Sequence, residues 1–418
     1  MGGGRSIRGK SERRECTGIC GHIVIEFDGD EQPGIYAELS GGSERADTDG
    51  EVGGEHDVQC VEQCDPAGRN TIGRHCSDSN SNGAPLGGSF QVSTITAINQ
   101  FVAKATVDSN GNFVIVWESE GMDGSSYGIS CRRYSSNGTP LSGECRGNST
   151  AAVSQFDPFV ATGTDGRFIV TWTSDLLDGS GSGVYAQRFE ATGTPQGGEF
   201  RVNTFTSDNQ GRSRVWVDSF GNFIVAWESR GQDASGYGVY AQRFDTNGAP
   251  VGSEFRINST VTGDQLWAAL GGDASGNFTA VWSSSQDGSG FGICGQRYDS
   301  SGYPVGSEFR VNTFVLNDQL YPSIAVDPTG RFLVVWQSDG PDGDGAGIFG
   351  QRFGATGSPQ GSEFQINSYS VGAQGGPWVA AGASGGYVVV WSSYAQFRSD
   401  WAVFGRRFDI AGVPLPAP

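Results

Sequence analysis

A tryptophan closes an aromatic and aliphatic run six times in this chain, at Trp117, Trp172, Trp227, Trp282, Trp336 and Trp391, so that neighbours stand 55, 55, 55, 54 and 55 residues apart. The runs read NFVIVWES, RFIVTWTS, NFIVAWES, NFTAVWSS, RFLVVWQS and GYVVVWSS. A period this regular belongs to a repeat architecture, in which each unit buries its faces against its neighbours rather than in a core of its own.

Within one unit the β-branched and aromatic runs are cut by Gly, Asn, Asp and Pro about every ten residues, which predicts four short strands. In the unit of Trp336 they are YPSIAVD, RFLVVWQS, GIFGQRF and SEFQIN, with DPTG and GATGSPQG supplying turn residues. The second strand is apolar at both alternating sets: Phe113, Ile115 and Trp117 on one side, Val114 and Val116 on the other. Such a strand is covered on both faces. No helical period runs through residues 90 to 418, so the cover comes from other sheets, and the expected fold class is an all-β, six-bladed β-propeller of four-stranded antiparallel blades. A parallel β-helix is the competitor, but its coils are shorter and less hairpin-like. The final unit stops at RRFDIAGVPLPAP, after three strands, while NGAPLGGSFQVST at 82 to 94 reads as a fourth strand with no unit before it. Ser89 and Phe90 fall in the register of Glu199 and Phe200, so the N-terminal strand is expected to pair with the last blade and close the ring, removing an open sheet edge.

The formal net charge is −19. That argues against nucleic acid as a partner and against anionic membrane surfaces, both of which call for basic patches. No apolar stretch of about 20 residues predicts a membrane-spanning helix. The propeller is expected to span 76–418 as a monomeric ring. Residues 1–75 do not follow the repeat. They hold Cys16, Cys20, Cys60 and Cys64 with His22, His56 and His75, and Cys76 follows directly. These types could make a zinc site or a set of disulfides. The alternative is an irregular or disordered leader, or a start read upstream of the true one. An apolar signal region is missing, yet scarce Lys and loops rich in Asp, Gly and Ser suggest an extracellular or cell-surface location. Cys131, Cys145 and Cys294 occupy repeat positions as small hydrophobes.

Comparison of the copies shows which polar positions each blade repeats. An acid follows five of the six Trp by six residues, or five in the shortened unit: Asp123, Asp178, Asp233, Asp287 and Asp342; the unit of Trp391, with YAQFRSDWA, breaks the pattern. Carboxylates, Ser hydroxyls and carbonyls freed by Gly are oxygen ligands suited to Ca²⁺, the one cofactor the sequence suggests. The alternative is a turn in which Asp holds backbone N–H groups. A Gln precedes each Trp by seventeen residues: Gln100, Gln155, Gln210, Gln265, Gln319 and Gln374. These lie on the link between blades, on the same rim as the Asp loops, and are candidate ligand-binding residues; the alternative is a hydrogen bond to the neighbouring blade. Arg133, Arg188, Arg243, Arg297, Arg352 and Arg407 recur on the third strand, with Glu144, Glu199, Glu254, Glu308 and Glu363 as expected cross-strand partners. No His lies in the repeats, which excludes a Ser-His-Asp centre there and leaves no catalytic residue to name.

In GNFVIVWESEGMDGSSYGI, GVYAQRFDTNGAPVGSEFRIN and NDQLYPSIAVD the chain resembles a group of bacterial repeat proteins found in large secreted or surface proteins, over residues 82–418. The resemblance implies a surface-associated, β-propeller-like array and carries no defined activity. The expected function is a non-catalytic binding or adhesion module that presents repeated loops to a glycan or a surface protein, with calcium as an aid. A carboxylate-dependent polysaccharide-active enzyme and a structural spacer are the alternatives.

Overall fold

A computed structural model describes residues 57–63, 73–79 and 90–416, apart from 96, 122, 123, 125, 152, 383, 384, 395 and 397–400, with side chains left out for the first two segments and for Asp287. The chain is an all-β, six-bladed β-propeller with antiparallel blades. Blade 1 is built from Gln100–Val107, Phe113–Glu120, Tyr127–Tyr134 and Cys145–Arg146. Blade 2 uses Gln155–Thr162, Phe168–Asp175, Ser182–Phe189 and Phe200–Arg201, and blade 3 uses Gln210–Val217, Phe223–Arg230, Tyr237–Phe244 and Pro250–Arg256. Blade 4 has Gln265–Gly272, Phe278–Ser284, Gly292–Tyr298 and Pro304–Arg310; blade 5 has Gln319–Val326, Phe332–Asp339, Ala346–Phe353 and Phe364–Gln365. Blade 6 shows Gln374–Ala381, Tyr387–Tyr394 and Trp401–Phe408, plus the bridge of Phe408 to Pro414 with which other blades begin their fourth strand.

The core lies between blades. One cluster joins Ile169, Val184, Ala186 and Val202 of blade 2 to Val215, Val225, Trp227 and Phe244 of blade 3. The second strands are buried along nearly their whole length, which accounts for their two apolar faces, and the six repeat Trp side chains are all buried. First strands of adjacent blades pack on each other around the axis. The axis itself is marked by Phe159 of blade 2 and Trp378 of blade 6, whose ring centroids lie 5.9 Å apart.

Two expectations at the N-terminus are corrected. Phe90–Gln91 does take the place of a fourth strand ahead of blade 1: Thr94 Oγ1 donates to Glu144 (2.7 Å), as Thr204 Oγ1 does to Glu254 one blade further round (2.9 Å). Its ladder partner, however, is Gly73–Ser79, with Gln91 opposite His75 and Phe90 opposite Cys76, not the third strand of blade 6. A partner a dozen residues away costs less loop-closure entropy than one some three hundred residues away. Gly73–Ser79 pairs in turn with Asp57–Gln63, placing Cys60 opposite Cys76, so a further three-stranded sheet reaches into the stretch 1–75 expected to be irregular. Cys16, Cys20, Cys64, His22 and His56 lie outside the described residues.

A third correction concerns cysteine. Cys131 and Cys145, opposite each other on the last two strands of blade 1, form a disulfide rather than serving as separate small hydrophobes. Cys294 is free and buried, and burial pushes its thiol up to about 11.

Candidate functional site

The repeated polar residues hold blades together. All six Gln, from Gln100 to Gln374, are at most 1% exposed. In blade 3 the Gln210 Oε1 accepts from Asn203 Nδ2 (3.2 Å), and its Nε2 donates to the Ser207 carbonyl (2.8 Å). Gln155, Gln319 and Gln374 accept from Asn148, Asn312 and Asn367 in the same way, and Gln265 accepts from Trp282 Nε1. Each of those Asn residues also takes a backbone N–H of its own blade, as Asn203 Oδ1 does from Val184 (2.7 Å). The Gln side chains therefore staple the link between blades, and a ligand arriving from solvent does not meet them.

The Asp loops do stand beside the Gln links, as expected: Asp208 N–H donates to Ser180 Oγ, and Asp264 Oδ1 accepts from Tyr237 N–H (2.9 Å). Asp178 and Asp233 each accept the N–H two residues on, from Ser180 and Ser235, the geometry of an Asx turn. Their second oxygens are buried against Gly183 and Gly238 of the third strand. At Asp342 burial pushes the carboxyl up, against a hydrogen bond with Asn367. Asp123 and the Asp287 side chain lie outside the described residues. Among the described residues no three His, Cys, Asp or Glu side chains converge as a metal-ligand group.

The third-strand Arg and fourth-strand Glu do not pair with each other. Arg243 donates to the Ser300 and Ser301 carbonyls in the hairpin of the next blade, and Arg297 to those of Ala355 and Thr356 (2.7 Å each). Glu254 accepts from Thr204 N–H (2.6 Å) in the preceding link. Both repeat because every blade junction needs them.

One ring of positions breaks the repetition. Two residues after each Gln, the first strand carries Val102, Asp157, Arg212, Trp267, Tyr321 or Gly376. All six have left-handed backbone, with φ of 49°, 51°, 51°, 56°, 55° and 58°. At each the ladder shifts register, as between Gly211 and Arg214 opposite Glu228 and Ala226. This is a β-bulge, which re-aims a side chain next to a site. Left-handed backbone costs about 1–3 kcal/mol at a bulky or branched residue, and such strain gathers at ligand clamps.

At three junctions the residue after the repeat Trp holds the next bulge. Glu118 Oε1 accepts from Asp157 N–H (2.7 Å), Thr173 Oγ1 from Arg212 N–H (3.2 Å) and Glu228 Oε1 from Trp267 N–H (2.6 Å). Glu228 also meets Arg212 Nη1 at 3.3 Å, so it bridges a cation and an aromatic residue of two blades. Burial pushes the Glu228 carboxyl up from its usual range, opposed by Arg212, the Trp267 N–H and Arg214. Beside it the Trp267 ring lies 4.7 Å from Tyr321 and 5.6 Å from Phe291, centroid to centroid. Two residues deeper, Arg214 stacks 4.9 Å over Phe159, which meets Trp378. Burial lowers the Arg214 value, while Asp157 and Glu228 favour its charge.

On the innermost strands Asp157, Arg212, Trp267 and Tyr321 thus stand at the bulges, and Phe159, Arg214 and Trp378 stand two residues further along, a set named here the axial cup. The sequence pointed to the repeated Gln and Asp of the rim, which the structure engages in staples and turns. The available signal was the reverse one, a position that differs in every copy inside an otherwise uniform motif. An open groove of about 430 Å³ does lie at the perimeter, lined by Arg201, Gln242 and Glu254 among others, but its lining belongs to turns and strands that every blade repeats.

No family model and no curated protein matches the sequence. The fold is similar to that of solved propeller enzymes. An α-L-arabinofuranosidase of Fusarium graminearum in complex with arabinobiose superposes with a TM-score of 0.51 at 9% identity, over 74% of this chain and 93% of that one. The arabinofuranosidase with an iminosugar inhibitor gives 0.52 at 10%, over 74% and 93%. An ulvan lyase bound to a glucuronate and sulfated rhamnose unit gives 0.53 at 11%, over 85% and 91%. Likeness at this identity is a likeness of fold.

Proposed function

We propose that the protein is an extracellular carbohydrate-binding propeller that seats one glycan in the axial cup. The observation that carries this reading is the ring of six left-handed bulge residues, different in every blade while the surrounding staples repeat. A role in holding blades together is the same six times and selects the same residue six times. A single asymmetric ligand on the axis touches each blade differently. Half-buried Trp267 and Tyr321 offer the flat apolar faces on which sugar rings rest, and Asp157 and Arg212 offer hydrogen bonds to hydroxyls. The disulfide of blade 1 fits an oxidising compartment. The arabinobiose and the glucuronate and sulfated rhamnose unit bound by two propellers of similar fold are consistent with a glycan here.

The deciding experiment is titration calorimetry of the full chain against a panel of plant and algal oligosaccharides, with Trp267→Ala and Tyr321→Ala beside the parent. One site per chain, lost in both variants while their melting curves stay near the parent's, is the expected outcome. Several equivalent sites per chain, untouched by these substitutions, would return the ligand to the repeated loops. Calcium at Asp178, Asp233 and Asp342 is a separate proposal, and its test is whether the melting temperature rises in millimolar Ca²⁺ and falls back on Asp→Asn substitution.

A second reading, a carboxylate-dependent polysaccharide-active enzyme, is favoured by the place of the buried Glu228 carboxyl between Arg212 and the Trp267 N–H, where burial raises its value. Release of reducing ends or unsaturated products that stops with Glu228→Gln, with binding retained, would establish it.

A further inference from the structure

The innermost strands carry four charged residues, Lys104, Asp157, Arg212 and Arg214, and the second strands bring Glu118 and Glu228 beside them. Three are positive and three are negative. The acids of the second strand occur in just the two blades whose first strand carries a cation: Glu118 in the blade of Lys104, and Glu228 in the blade of Arg212 and Arg214. At the same place the other blades have Thr173, Ser283, Gln337 and Ser392, so a carboxylate there is no demand of the repeat. The charges are answered within the chain. Arg212 Nη1 meets Glu228 Oε2 at 3.3 Å, and Arg212 has a further partner. Glu228, whose side chain is 3% exposed, also accepts from the Trp267 N–H (2.6 Å), and Glu118 accepts from the Asp157 N–H. Arg214 lies over Phe159, its charge favoured by Asp157 and Glu228, and Lys104 is partnered as well.

From this arrangement, resting on the axial glycan site proposed above, we infer that the site selects a neutral glycan and that Glu228 sets this selectivity. An anionic sugar gains little from a guanidinium already matched, and to claim Arg212 it must displace Glu228 and leave a buried carboxylate uncompensated. A cationic sugar meets the converse, since Glu118 and Glu228 are already engaged. A neutral sugar leaves the pair standing. Its hydroxyls share a carboxylate oxygen or a guanidinium N–H with the partner in place, because each group has more lone pairs or donors than one partner fills. Its apolar ring face rests on Trp267 and Tyr321, whose ring centroids lie 4.7 Å apart.

The test compares two matched pairs by calorimetry on the full chain at pH 7: a short oligogalacturonate and its methyl ester, and a galactan oligosaccharide and its sulfated form. The expected result is at least about tenfold tighter binding of the neutral member of a pair, with an affinity that changes less than about twofold between about 50 and about 500 mM NaCl. Glu228→Gln leaves Arg212 without its carboxylate, so the acid should gain on its ester until the two bind within about threefold. The comparison in the parent needs no variant and stands even if Glu228→Gln folds poorly. Loss of binding in Trp267→Ala ties the signal to the axis. An acidic member that binds as tightly as its neutral counterpart overturns the inference and leaves an axial glycan site intact. A preference for the neutral member that persists unchanged in a folded Glu228→Gln overturns the role of Glu228. Binding of none of these ligands overturns the axial reading itself, and the inference with it.

Discussion

The junctions between blades and the mouth of the axis obey opposite rules. At a junction, Gln, Asn, Arg and Glu recur at fixed places, each bonded to the neighbouring blade. At the mouth, six equivalent positions hold Val, Asp, Arg, Trp, Tyr and Gly on the same strained backbone. Symmetry of fold therefore coexists with asymmetry of chemistry, and the two are separated by only two residues along the first strand. Residues that repeat serve the ring, whereas those that differ are free to serve a ligand. In a repeat protein the second class is the more informative about function.

The contrast can be broken at several points. The largest effect is expected at the repeat core: Trp227→Ala empties a fully buried site and should cost about 3–5 kcal/mol. Trp267→Ala, at the half-buried mouth, should cost far less, and comparable losses by urea unfolding would erase the distinction between junction and mouth. Next comes Gln210→Ala, which removes one acceptor from Asn203 Nδ2 and the side-chain donor to the Ser207 carbonyl and should cost about 1–3 kcal/mol. Its glycan affinity should be unchanged. A selective loss of binding with no loss of stability would restore Gln to the ligand site.

A pH-dependent effect is expected at Glu228. Its folded value is raised above the unfolded one, so its favourable contribution is complete below the unfolded value and is lost as pH rises through the folded value. Glu228→Gln keeps an acceptor for the Trp267 N–H and carries no charge. Its stability relative to the parent should improve from pH 4 to pH 8, by about 1.4 kcal/mol for each unit by which the native carboxyl is raised. A flat difference would mean that Arg212 and Arg214 hold Glu228 ionised. The smallest effect is expected at Val102, a branched residue with φ of 49° where blade 6 has Gly376. Val102→Gly should gain about 1 kcal/mol as the strain is released, less the chain entropy of glycine. A loss instead would mean that Val102 packing outweighs its strain.

Much of the ring was legible before any coordinates. Apolar residues on both faces of NFVIVWES require sheets on either side, and the structure buries Val114, Ile115, Val116 and Trp117 accordingly. Asp327 and Gly330 in DPTG announce the tight turn in which Asp327 Oδ1 takes the Thr329 and Arg331 N–H groups. The stretch 82–94 reads as a fourth strand by its register, and Phe90–Gln91 within it is one, but register along the chain names a place and not a partner. The Cys131–Cys145 disulfide was hidden because each Cys replaces a residue that packs equally well.

What the sequence by itself determined was the period, the strand pattern and the number of blades, because burial and turn chemistry act over a few residues and leave a mark at every repeat. What only the tertiary structure decided was which polar atoms face which, that Arg243 reaches a neighbouring turn while Arg212 meets Glu228 of its own blade, and that six dissimilar residues take equivalent bulge positions on the innermost strands. Their equivalence follows from ring closure around a bulge, which relates positions 55 residues apart that share no local signal.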